Sequence, residues 1–150
     1  MILCFGLLLS LLAFSCGIDD CVGSDRTVYQ LIEDSSLQVQ RLPEVNGFDQ
    51  RLRYIIRDEG GAEKPTLEDS ITFNYVAFTT EGDTVARSPV PSETKPLDGL
   101  ISGWQLGLPL IGRGGSIRLY LPSALAYGPN PVANLCAGSD LIFDVELIDF

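Results

Sequence analysis

Residues 96–127, PLDGLISGWQLGLPLIGRGGSIRLYLPSALAY, decide how this chain folds. Leu100, Ile101, Trp104 and Leu108 recur at spacings of one, three and four, so on a helix they form one apolar stripe with the chain's single tryptophan at its middle. Gly103 and Gly107 flank the stripe. Each glycine costs a helix about 1 kcal/mol relative to alanine, and two of them four apart point to close approach of another layer, a sheet. Pro109 limits the helix to about three turns. Trp104 is then either a buried core ring or the partly accessible floor of a pocket, and the rest of the chain has to decide.

Downstream, Ile117, Leu119 and Leu121 alternate with Arg118 and Tyr120, which reads as a strand with one buried and one wet face. The C-terminus repeats the device, with Leu141, Phe143, Val145 and Leu147 set against Ile142, Asp144, Glu146 and Ile148. Between them lies PSALAYGPNPVANLCAGSD, a loop long enough to be functional. It carries Tyr127, Leu135 and no charge before Asp140, so it offers an apolar lip with one phenolic hydroxyl. Upstream, Ile71, Phe73, Tyr75 and Ala77 share one face of a strand and Thr72, Asn74, Val76 and Phe78 the other. Glu81-Gly82-Asp83 turns the chain, Thr84 to Arg87 run back alongside, and SPVPSETKP reads as a proline-rich loop. Leu52, Tyr54 and Ile56 form a further alternation closed by Asp58-Glu59-Gly60-Gly61. Residues 27–45 mix helical and alternating spacings and are expected to form a short helix or strand packed loosely on the domain. Four or five strands and one helix make an α+β fold, a sheet covered on one face by that helix.

The chain has 150 residues, enough for one domain with a real core. Residues 1–15, MILCFGLLLSLLAFS, carry no charge and read as a secretory apolar segment too short to span a bilayer as a permanent helix. Leu-Leu-Ala-Phe-Ser-Cys resembles a bacterial lipoprotein signal, which would make Cys16 the lipidation site and place the protein in the bacterial cell envelope, lipid-anchored, periplasmic or outer-membrane associated; the other reading is an ordinary cleaved signal with Cys16 free. The expected organisation is a signal peptide over 1–15, a flexible tether over 16–26, an N-terminal extension over 27–48 and the main domain over 49–150. Cys21 and Cys136 would remain as thiols in a compartment that allows a disulfide, and the sequence leaves open whether they pair. The formal net charge of −10 argues against nucleic acid and against anionic headgroups as partners, leaving a membrane only through the anchor. Histidine is absent, which removes Ser-His-Asp and Cys-His catalysis and His-bearing zinc sites. No metal-ligand spacing and no glycine-rich phosphate loop is present.

Taken in order, Gly103-Trp104, Leu108, Gly114, Leu-Tyr-Leu-Pro-Ser-Ala-Leu-Ala-Tyr-Gly (119–128) and Leu-Ile-Phe-Asp-Val-Glu-Leu (141–147) resemble an FKBP-type peptidyl-prolyl cis-trans isomerase, here in bacterial lipoprotein form. Tyr-Ile-Ile-Arg-Asp-Glu-Gly-Gly-Ala-Glu-Lys-Pro and Asp-Ser-Ile-Thr-Phe-Asn-Tyr agree upstream, so the resemblance runs from about Asp49 to the last residue. It implies a twisted antiparallel sheet of four to six strands wrapped around one short helix. It also implies proline-containing polypeptides as substrates, possible capture of macrolide ligands, and no cofactor or metal.

Carried over residue by residue, the resemblance makes Tyr75 a wall of the site and Trp104 its floor. The backbone N–H of Ile101 and the hydroxyl of Tyr127 would bind carbonyls, and these four form the expected catalytic set. Leu100, Leu135 and Phe143 would line the substrate site, with Val85 standing where the family has an aromatic wall. Val85-Ala86 replace the usual Phe-Asp, so the wall tyrosine loses a carboxylate acceptor and a reduced activity is expected. Another family aromatic falls near Pro96 and Leu97, where the loop is shortened, and has no evident counterpart. Three readings follow: an isomerase assisting the folding of exported proteins, a peptide-binding or chaperone module of the same fold with little turnover, and a structural domain without a pocket.

Overall fold

Strand β3 (Ser70–Phe78) is the element on which the sheet is assembled, because its alternating Ile71, Phe73 and Ala77 are buried while both its edges stay free to pair. The computed structural model describes residues 21–42, 51–90, 92–133 and 135–150. Within them lie α1 (Val28–Ser35), β1 (Gln40–Arg41), β2 (Arg53–Asp58), β4 (Thr84–Arg87), β5 (Glu93–Pro96), α2 (Ser102–Gly107), β6 (Ser116–Leu121) and β7 (Leu141–Asp149). All strand pairs are antiparallel, in the order β1-β2-β6-β7-β3-β4, with β5 sharing the β4 edge of β3.

The expected α+β architecture is present, and the sheet reaches seven strands. The two strands that alternation does not reveal are β1, which is only two residues long, and β5, whose Glu-Thr-Lys-Pro offers no apolar period. The second half of SPVPSETKP is therefore not loop: it pairs with Ser70–Phe73. The face of β6 read as wet is also partly covered. Tyr120 and Ile142 are buried against Val28 of α1, so a small second core sits on the far side of the sheet. Thr27 caps α1 through reciprocal bonds with Gln30, which explains why a helix forms in a segment of mixed periodicity.

Residues 21–26, read from composition as a tether, are fastened to the domain. Cys21 and Cys136, 115 residues apart in sequence, are joined by a disulfide. Val22 bridges Leu135, and the buried Thr80 hydroxyl donates to the Arg26 carbonyl at 2.6 Å. One carboxylate, Asp140, accepts from the Val28 N–H at 3.0 Å and the Ser123 N–H at 2.7 Å, tying the start of α1 to the start of the 122–140 loop. Residues 1–20, including Cys16, and residues 43–50 lie outside the described residues.

The central helix is shorter than three turns. Ile101 is extended, Ser102–Gly107 are α-helical, and Leu108–Leu110 tighten into a 3₁₀ turn around Pro109. A Cβ on Gly103 would lie 2.5 Å from a Leu121 methyl carbon, and one on Gly107 would lie 2.6 Å from Leu119 Cδ2. The glycines let α2 rest directly on the side chains of β6, as their spacing predicts. Gly103→Ala should gain about 1 kcal/mol of helix propensity and lose more, about 1–3 kcal/mol, to overpacking. Denaturant unfolding of Gly103→Ala, Leu121→Val and the pair should show a double-mutant loss smaller than the sum by about 0.5 kcal/mol or more; additive losses would mean that the contact does not limit the helix.

Candidate functional site

The inward face of β3, the inward face of β7 and the helix α2 converge on one group of rings. Phe73, Tyr75 and Phe143 stand around Trp104 with centroid distances of 4.9, 5.4 and 5.5 Å and interplanar angles of 79°, 81° and 90°. Edge-to-face contacts of this kind add about 0.5–1.5 kcal/mol each beyond area burial. They bound a cavity of about 120 Å³ whose remaining walls come from Leu100, Ile101 and Tyr127, and from Glu93 and Lys95 on β5. At that size the cavity admits little more than one ring-sized group, since drug-sized sites run to about 300–1,000 Å³.

Of the residues expected from sequence, Tyr75, Leu100, Ile101, Trp104, Tyr127 and Phe143 are brought together here. Two are placed elsewhere. Leu135 is buried in the core, bridging Val22 and Val132, and Val85 is half-buried against the core outside the lining. Trp104 is only 4% exposed, so it is a floor seen along a narrow edge rather than a partly open surface. Tyr127, 36% exposed, forms the lip.

Two donors on residues that line this cavity have no acceptor among the described residues. The Ile101 N–H donates to none of the described residues, although its carbonyl accepts from Trp104 and Gln105 at 2.9 and 3.2 Å to start the helix. The Gln105 side-chain amide donates to the carbonyls of Asp98 and Leu100, both at 2.8 Å, which fixes the turn that presents Ile101. The buried Trp104 Nε1–H also has no partner among the described residues. Burial pushes the Tyr75 phenol above its ordinary pKa, with Glu93 and Tyr127 adding to the shift and Lys95 opposing it, so the hydroxyl stays protonated at neutral pH. Ala86 is exposed opposite Ala77 and offers that hydroxyl nothing to donate to.

Phe73, Glu93 and Lys95 are the lining residues that sequence reading missed as site residues. Phe73 carried the right signal, sharing a face with Tyr75. Glu93 and Lys95 are two apart, as strand neighbours on one face must be, but the signal is hidden inside a proline-rich segment. A larger hollow of about 410 Å³ is walled by Arg57, Asn74, Asp144 and Glu146 and shares only Tyr75 with the ring cluster. Among the described residues no cluster of three or more His, Cys, Asp or Glu is placed to hold a metal ion, and no helix is long and apolar enough to cross a membrane.

A family model described as FKBP-type peptidyl-prolyl cis-trans isomerase matches residues 61–148. The chain belongs to the FKBP-type peptidyl-prolyl cis-trans isomerase family. Among curated relatives, the FKBP-type isomerase FkpA of Escherichia coli K12 is 38% identical over 100 residues, covering 65% of this chain and 37% of the relative. FkpA of Aeromonas hydrophila is 33% identical over 106 residues, covering 69% and 40%. The chain thus spans little more than a third of the length of these relatives. The crystal structure of FkpA from Escherichia coli superposes with a TM-score of 0.68 at 31% identity, over 81% of this chain and 56% of that one. A peptidyl-prolyl isomerase structure from Pseudomonas syringae gives the same TM-score at 24% identity, over 81% and 88%, and speaks to the fold alone.

In this FKBP-type domain the single tryptophan reports on the cavity. Its emission should be blue-shifted in the folded chain and should change in intensity when a proline-containing peptide is titrated in, saturably and with a matching loss of response in Trp104→Phe. Emission indifferent to peptide at every concentration would make the ring cluster a core and nothing more.

Proposed function

We propose that this chain is a peptidyl-prolyl cis-trans isomerase that receives the prolyl ring of a polypeptide in the Trp104 cavity. The observation that carries the reading is the conjunction of a cage of aromatic rings with an Ile101 N–H that donates to none of the described residues and a lip hydroxyl from Tyr127. Rotation about a peptide bond is opposed by a resonance barrier of about 18–20 kcal/mol. As the bond twists, conjugation is lost and the carbonyl carries less charge, so a low-polarity cavity favours the twisted state over the planar one. The Ile101 N–H and Tyr127 hydroxyl hold carbonyls and orient the segment, while Trp104, Phe73 and Phe143 exclude water from the ring. No proton is transferred, which suits a chain without histidine.

The Tyr75 hydroxyl, unsupported at Ala86, leaves one wall loosely held, which supports an activity below what the fold can deliver. An exchange or protease-coupled assay on a Leu-Pro peptide should show catalysis by the full chain, falling in Tyr127→Phe. Val85→Phe together with Ala86→Asp should raise kcat/KM by about tenfold, equivalent to about 1.4 kcal/mol of transition-state stabilisation. No acceleration by the wild-type chain would overturn the isomerase reading in favour of a binding module, and a fall in the double variant would show that the wall is already filled.

The uncharged segment over residues 1–15 and the Cys16 that follows it support an exported protein anchored through lipid on that cysteine, with clients among exported polypeptides. Stable attachment needs more than one acyl chain, since a single one binds only marginally. Cys16→Ser should move the protein from the membrane fraction to the soluble fraction; equal recovery of both forms with membranes would refute the anchor.

A further inference from the structure

The reading of the cavity as a prolyl site leaves its only charged wall unexplained. In the β3–β5 pairing Glu93 lies opposite Phe73 and Lys95 opposite Ile71, and residues opposite one another across antiparallel strands share a face. Phe73 and Ile71 point into the core, so Glu93 and Lys95 are the inward residues of β5, while Thr94 points away to meet the Thr72 hydroxyl at 2.9 Å. The strand is thus patterned with its charges turned toward the cavity. Every other lining residue is apolar or phenolic.

We propose that Glu93 is a specificity-determining residue of this site, selecting polypeptide segments in which a basic side chain adjoins the proline. This rests on the isomerase reading above and adds the substrate class. A cavity of about 120 Å³ filled by a prolyl ring leaves the neighbouring residue at the mouth, where the two charges stand. They are not equivalent. The Glu93 side chain is 23% exposed and the Lys95 side chain, whose ammonium lies 2.7 Å from the carboxylate, is 55% exposed, so the acid is the inner member of the pair and the amine the outer one. The Tyr75 phenol registers the same imbalance, being pushed up by Glu93 more than it is drawn down by Lys95. A basic neighbour can share the carboxylate with Lys95, whereas an acidic neighbour meets it as a like charge beside the aromatic wall.

Inward charges on an edge strand also deter pairing with another chain, and that alternative makes a different forecast. The test is kcat/KM of the full chain on two peptide series, with Lys, Leu or Glu immediately before or immediately after the proline. In at least one series Lys should exceed Glu by about fivefold at low salt, and the ratio should shrink as ionic strength shortens the screening length to about 3 Å near 1 M. Glu93→Gln should bring the ratio close to one, and Lys95→Gln should raise it. Glu33→Gln, which removes the same charge from exposed α1, should leave it where it was. A wild-type ratio near one in both series, or a ratio unmoved by both β5 variants, overturns the proposal, as does a ratio that falls equally in Glu33→Gln. Self-association of the β5 variants with unchanged selectivity would assign the charges to edge protection instead. If no peptide is turned over, the isomerase reading fails separately, and the same ratios are read as affinities from Trp104 emission.

Discussion

Everything at the site depends on how closely one short helix can approach one strand. With Gly103 and Gly107 lying on Leu121 and Leu119, there is no room for a methyl group between α2 and β6. That contact sets the height of the helix over the sheet, and the height sets where Trp104 meets the rings of β3 and β7. A helix of only six residues has little stability of its own, so its position comes from tertiary packing rather than propensity. The turn before it is braced by Gln105, and Ile101 is extended rather than helical, with its backbone N–H donating to none of the described residues.

The groups gathered around the cavity are unusual in balance. Ile101 N–H and Trp104 Nε1–H are donors with no acceptor among the described residues, and a buried unpaired donor costs about 1–3 kcal/mol. The Tyr75 phenol is pushed above its ordinary pKa by burial first and by Glu93 next. The fold tolerates this because the T-shaped ring contacts and the dense core beneath them supply compensating stability. A surface built with spare donors and few acceptors is suited to polypeptide carbonyls, which bring acceptors and no competing donor at a prolyl residue.

Much of this was legible in the sequence where side chains alternate strongly. Ile71, Phe73, Tyr75 and Ala77 announce their shared face, as do Leu141, Phe143 and Val145, and the two glycines announce the close contact of α2. What was not legible has physical reasons. β5 carries no apolar residue in its four, so periodicity is blind to it, and Glu93 and Lys95 went unseen as wall residues. Tyr120 and Ile142 look like solvent-facing positions until a capped helix from before the main domain covers them. Leu135, assigned by resemblance to the substrate site, is buried in the core, and Val85, assigned likewise, is half-buried against the core outside the cavity lining. The pairing of Cys21 with Cys136 spans 115 residues, and no local signal encodes a contact of that range.

That disulfide also fixes a leash. From Cys16 to Cys21 is five residues, at most about 18 Å of fully extended chain, and the covalent point of arrival is the loop whose Gly138 N–H bonds the Gly128 carbonyl, next to Tyr127. A domain held at Cys16 would therefore hang by the rim of its own cavity, not by a distant arm. Its mouth would sweep a thin shell beside the point of attachment, where the effective concentration of segments emerging close to that surface is high and that of segments free in the surrounding volume is no greater than in bulk.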